Sequence, residues 1–226
     1  MNTQSHAILN LFLLRKTLEK KFGKMGAPST PDPGIRNSTS FNSRIPLQEG
    51  RDDRLNEVIV AGSIFPDVPM LFFFIWYTWV VPTSQRTIWG TLYFTEGWQT
   101  VFNLFHSVPI FLTLAGVAYW LSRPRLFIFC LAGLLHFMED FFVHQEDGHA
   151  HFFPLSNYKF ISPISYWDSR SFGNYFSIAE PLVILACSFY VFRYLKTWWG
   201  KTLLVLINGF SFSGHIFWYF VFTHFH

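Results

Sequence analysis

Residues 126–143 read LFIFCLAGLLHFMEDFFV, an apolar run in which only His136, Glu139 and Asp140 carry an imidazole or an acid. A helix needs about 20 such residues to cross a hydrocarbon core of ~30 Å, and this run comes close to that length. On a helix, His136 and Asp140 are one turn apart, so both side chains point to one face. Imidazole nitrogen and carboxylate oxygen in that relation suit zinc, and also manganese or iron.

Working outward, four further stretches at 57–81, 98–121, 176–195 and 202–222 are comparably apolar. The chain has 226 residues, half of them hydrophobic and 21% aromatic; the 14% charged residues compare with roughly 25% in soluble domains. This composition excludes disorder, collagen and coiled coil, and argues against a water-soluble domain. Cys130 and Cys187 both sit inside apolar runs, so neither a disulfide framework nor a zinc ribbon is available. A net charge of +3 is too small to argue for nucleic acid. The expected fold is all-α: one integral membrane domain over 1–226, a multi-pass bundle of about five transmembrane helices plus a shorter N-terminal helix. Pro66 and Pro69 predict a kink in the first long stretch. The run Ala7–Leu14 precedes the basic cluster and lacks a small-residue cleavage site, so no signal peptide is expected.

Charge placement sets the expected orientation. Arg15–Arg54 holds nine Lys/Arg and five Asp/Glu among Pro, Ser, Asn and Gly, and 23–54 reads as a polar, flexible loop. With five crossings, Arg123, Arg125, Arg193, Lys196 and Lys201 share its face, which makes fourteen basic residues against three (Arg86, Lys159 and Arg170) opposite. The positive-inside rule makes the fourteen-residue face cytoplasmic. The His-containing segment 144–175 then becomes a non-cytoplasmic loop, with 158–172 expected to fold over the site. Trp79, Trp89, Trp98, Trp120, Trp198 and Trp199 fall near the ends of the apolar runs, where an interfacial aromatic belt belongs.

Ionisable groups inside a membrane are costly and are normally paired, hydrated or bound to metal. Counted from the nearest flanking charges at ~1.5 Å per residue, His6, Asp67, His106, His136, Asp140 and His215 fall in one slab about 10 Å deep. Asp67 sits at a Pro-flanked break, and His106 lies just before Ser107 and Pro109. Glu139 is off the His136–Asp140 face and is expected to be a helix-packing or interface residue. Glu180 precedes Pro181 and reads as a supporting acid or as the cap of a helix break. His144, His149 and His151 fit either a hydrated turn or additional ligands, and Glu146 and Asp147 read as part of the same solvated turn. The aromatic stripes at 72–77 and 217–222 read as packing or lipid-facing surface.

The runs Ser63-Ile-Phe-Pro-Asp67, Phe105-His-Ser107, Leu135-His-Phe-Met-Glu-Asp140 and Phe153-Pro-Leu-Ser156 carry a resemblance. Together with Gln4-Ser-His6 and Tyr166-Trp-Asp168, they resemble the bacterial membrane-bound metal-dependent hydrolases. The order of His, Asp, His and HxxxD is similar to the metal site of zinc-dependent phospholipase C. The likeness covers about residues 1–170. It departs at Val68–Met70, where the family has a second acid and a His, and at Ser169, where the family often has His. What the resemblance implies is one divalent metal, zinc first, held by Asp67, His106, His136 and Asp140. His6 would help bind a second metal, with Asp140 bridging.

The function so implied is hydrolysis of an ester or phosphoester of an amphiphilic, lipid-like substrate by a metal-activated water, with Asp67 as the orienting base. Two rivals stand beside it. One is a non-catalytic membrane scaffold or assembly subunit with a structural metal and a membrane-protein partner. The other, ranked last, is a di-iron oxidase, for which the His-rich boxes are too few.

Overall fold

The computed structural model describes the backbone of residues 1–22 and 54–224, and side chains at 1–18, 54–209, 211 and 212. The expected polar loop at 23–54 lies outside the described residues apart from Arg54, as do the side chains of His215 and of 217–222. Among the described residues there is no strand. The helices are α1 (Thr3–Phe22), α2 (Arg54–Ile64), α3 (Val68–Ile75), α4 (Gln85–Thr87), α5 (Glu96–Phe105), α6 (Val108–Trp120), α7 (Pro124–Phe141), α8 (Gly173–Val191) and α9 (Trp198–His224).

Each apolar stretch has become helix, and the prolines decide where it breaks. A proline lacks the N–H of the helical ladder and its ring clashes with the carbonyl four residues back. Pro66 and Pro69 thus divide Arg54–Val80 at a 3₁₀ turn, Phe65–Asp67. Pro109 likewise separates α5 from α6 at His106 and Ser107, whose hydroxyl caps α6 by accepting from Ile110 N. Both interruptions fall in mid-segment, and each leaves a polar side chain standing where a regular helix would have continued.

Among the described residues, three segments are long and apolar enough to cross a membrane: Arg54–Val80, Glu96–Trp120 and Gly173–Tyr194. That is fewer than the five expected from the sequence. The missing hydropathy in α7 has an identifiable source, because its 18 residues include Arg125, Glu139 and Asp140. Trp79, Trp120, Trp198 and Trp199 are strongly exposed at helix ends, while Trp98 is half-buried against Phe73 and Phe102.

The helices pack around α7, which lies against α1, α2 and α6; α1 also packs on α8, and α8 on α9. One core unites Ile8, Leu11, Ile59, Ile128, Ala132 and Ile184 from four of these helices. Burying side chains of this kind contributes about 1.5–3 kcal/mol each in water, and the same contacts fix the helix faces. Gly62 permits a close approach of α2 to α7: a Cβ there would run into the Phe129 carbonyl of α7. Phe111 of α6 occupies the space over Gly133 in the same way. With α2 and α6 drawn onto α7, the two proline breaks come to face the polar end of α7.

Candidate metal centre

Asp67, His106, His136 and Asp140 converge there, each offering a ligand atom within 4.8 Å of the others. His136 Nε2 is 3.0 Å from Asp140 Oδ2 and 3.6 Å from Asp67 Oδ1, and His106 Nε2 is 3.4 Å from Asp67 Oδ1. All but Asp67 are buried, and Asp67 is nearly so. His6 enters from α1, with Nε2 3.0 Å from Asp140 Oδ1 and its ring stacked on His136 at 3.8 Å.

The ring nitrogens of these histidines are used in a consistent way. The outer nitrogen of each is taken: His6 Nδ1 by Glu139 Oε2 at 2.6 Å, His106 Nδ1 by the Phe102 carbonyl at 2.9 Å, His136 Nδ1 by the Ser63 carbonyl at 2.8 Å. The inner nitrogens, all Nε2, are buried and have no hydrogen-bond partner despite the nearby carboxylates. The carboxylates are close, but they do not lie along an N–H direction. An acceptor on Nδ1–H fixes the tautomer that leaves the Nε2 lone pair pointing inward. A buried polar atom left unpaired costs about 1–3 kcal/mol. Three such atoms around clustered carboxylates fit a cation, whose charge satisfies all of them together.

Asp140 faces two ways. Its Oδ2 meets His136, while its Oδ1 lies 3.0 Å from His6, 3.2 Å from His144 Nε2 and 3.1 Å from the Met1 nitrogen. Thr3 Oγ1 donates to Asp67 Oδ2 at 2.6 Å, and Glu180 accepts from Asn2 N at 3.0 Å, so the start of α1 is tied into the site. Glu180 thereby serves α1, and α8 runs on through Pro181 without a break for it to cap.

The other candidates distribute as follows. Glu139 stands at the interface of α7 with α1, where it holds the outer nitrogen of His6. His144, His149 and His151 are buried, so they form no hydrated turn, whereas Glu146 is exposed. His144 Nδ1 pairs with Asp147 Oδ2 at 2.9 Å. Burial alone would lower its pKa, but Asp140 and Asp147 outweigh this and hold the imidazole above its ordinary value. His151 is pushed down to about 4 by burial and by the nearby His106, while its Nδ1 donates to the His106 carbonyl. The segment 158–172 lies across this loop: Ser162 N donates to His144 O, Tyr166 N to Val143 O and Trp167 Nε1 to Asp147 Oδ2.

Sequence reading missed Thr3, Ser63 and the role of Glu139. Thr3 had one available signal, standing three residues before His6 and therefore on its helical face. Comparisons with protein-family models, with curated proteins and with solved structures found no match.

Proposed function

We propose that the protein is an integral membrane, metal-dependent hydrolase acting on an ester or phosphoester of an amphiphilic, lipid-like substrate. The observation that carries this reading is the set of inward Nε2 atoms, each unpaired and each locked by a partner on Nδ1. The first ion belongs to Asp67, His106, His136 and Asp140. His6 supports a second beside it, with Asp140 Oδ1 turned toward that position. The mixed nitrogen and oxygen donors favour zinc. A bound zinc lowers the pKa of its water to about 7 and polarises the scissile group. Asp67, largely buried and held by Thr3, would orient that water by accepting its hydrogen bond.

The substrate class is supported by position. Asp67 and His106 occupy the middle of two segments long and apolar enough to span a bilayer. The loop above them exposes Leu155, Tyr158, Ile161 and Trp167, side chains that suit a lipid interface. With α7 crossing as a third segment between them, the orientation supported by the basic residues puts 23–54 in the cytoplasm and 144–175 on the other side.

The test is elemental analysis of protein purified in detergent, followed by hydrolysis assays on chromogenic phosphate and carboxylate esters. Zinc at one or two equivalents with turnover abolished in Asp67→Asn supports the enzyme. Bound metal without turnover, and full cellular function in Asp67→Asn, would replace it with the scaffold reading.

A further inference from the structure

His149 stands apart from the histidines that face the candidate ions. It is 2% exposed, and neither ring nitrogen has a hydrogen-bond partner. A neutral imidazole carries one N–H and one lone pair, and leaving both unsatisfied in the interior is costly. The ring is not loosely placed. It stacks on His106 with centroids 3.8 Å apart and planes 22° from parallel, and its centroid lies 6.1 Å from that of His144. The backbone around it is pinned as well. Ala150 N donates to Asn103 Oδ1 at 2.8 Å, and Val108 N to the His151 carbonyl at 2.8 Å.

His149 also lacks the mark of the ligands. His6, His106 and His136 each have Nδ1 held by an oxygen, as metal-binding histidines almost always do. His149 has no such anchor on either nitrogen. It is therefore built to meet something that arrives, and it sits on the loop-side wall between His106 and His144. We propose that His149 is a substrate-binding residue that donates a hydrogen bond to an oxyanion, of the phosphate type, seated at the metal centre. This deepens the hydrolase reading and rests on it. An N–H already stacked against a ligand ring and cleared of water needs no reorganisation to receive a charged oxygen.

The experiment uses full-length protein in detergent, reconstituted with zinc, with metal measured by elemental analysis and orthophosphate binding by calorimetry. His149→Ala should keep the wild-type zinc content and bind phosphate roughly ten- to hundredfold more weakly, the scale of one lost hydrogen bond to a charged group. His149→Gln, which retains an N–H donor, should recover part of the loss. Unchanged phosphate affinity in His149→Ala overturns the proposal, and so does a loss of zinc in that variant, which would make His149 a ligand. Zinc uptake without phosphate binding by the wild type overturns the His149 assignment alone, whereas no zinc uptake overturns the metal reading itself. Displacement of phosphate by dihexanoyl phosphatidic acid would support a lipid-linked phosphate. Displacement only by a water-soluble monoalkyl phosphate would support a soluble ester held by the same hydrogen bond.

Discussion

His136 Nε2 lies 3.0 Å from Asp140 Oδ2, one turn along α7, while His136 Nδ1 is held 2.8 Å from the Ser63 carbonyl of α2. A single imidazole thus couples the packing of two helices to the arrangement of the candidate ligands. His136→Ala removes the anchor and a ligand together, and it leaves Asp67 and Asp140 facing each other without a cation. Breaking a buried charge arrangement of this kind typically costs about 3–5 kcal/mol. Zinc content and melting temperature in detergent should fall together. Full metal stoichiometry in this variant would show that the four residues do not share an ion.

Gly62→Ala should act on the same site from a distance. Alanine normally stabilises a helix over glycine by about 1 kcal/mol. Here the added Cβ would meet the Phe129 carbonyl, so α2 and α7 must separate and the Ser63 carbonyl must leave His136. Overpacking of this sort costs about 1–3 kcal/mol. Thermal unfolding should show the loss, with zinc affinity reduced, whereas Gly116→Ala, which meets nothing within 4 Å, should be neutral or stabilising. Equal behaviour of the two variants would refute the close-packing argument.

The difference between Asp140 and Glu139 shows how far the site can be read in the sequence. Asp140 was legible because a helix puts it on the His136 face, and the breaks at Asp67 and His106 were legible because prolines mark them. Glu139 was not. One residue earlier it points about 100° away, and only the docking of α1 against that side gives it His6 as a partner. His149 lies in a loop with no periodicity, so nothing in its spacing indicated burial. The helices themselves could be found from hydropathy, yet α7 falls short as a span because the site's own acids sit in it.

Topology offers an independent test, because fourteen of seventeen Lys/Arg are assigned to one face. Both native cysteines are buried, so a Cys130→Ser, Cys187→Ser background is suitable for accessibility labelling. A cysteine at Ser40 should react from the cytoplasmic side and one at Ser156 only from the other. Reaction of both from the same side would remove the odd number of crossings between them and, with it, the proposed orientation.

The contact of Glu139 with His6 makes the sharpest claim about a second ion. Glu139 Oε2 lies 2.6 Å from His6 Nδ1 and so fixes the tautomer that turns His6 Nε2 toward Asp140 Oδ1. His6→Ala should therefore remove one of two zinc ions and spare the fold, since His136 and its three co-ligands stay in place. Glu139→Gln keeps the shape and an acceptor oxygen but gives up the charge that strengthens the imidazole as a ligand. Losses of such supporting partners typically weaken metal affinity about 10–100-fold. Zinc titration with a competing chelator should then resolve one unchanged and one weakened site in Glu139→Gln. Two sites of wild-type affinity would mean that Glu139 only packs against His6. One site in both the wild type and His6→Ala would mean that Asp140 bridges nothing and a single ion occupies the centre.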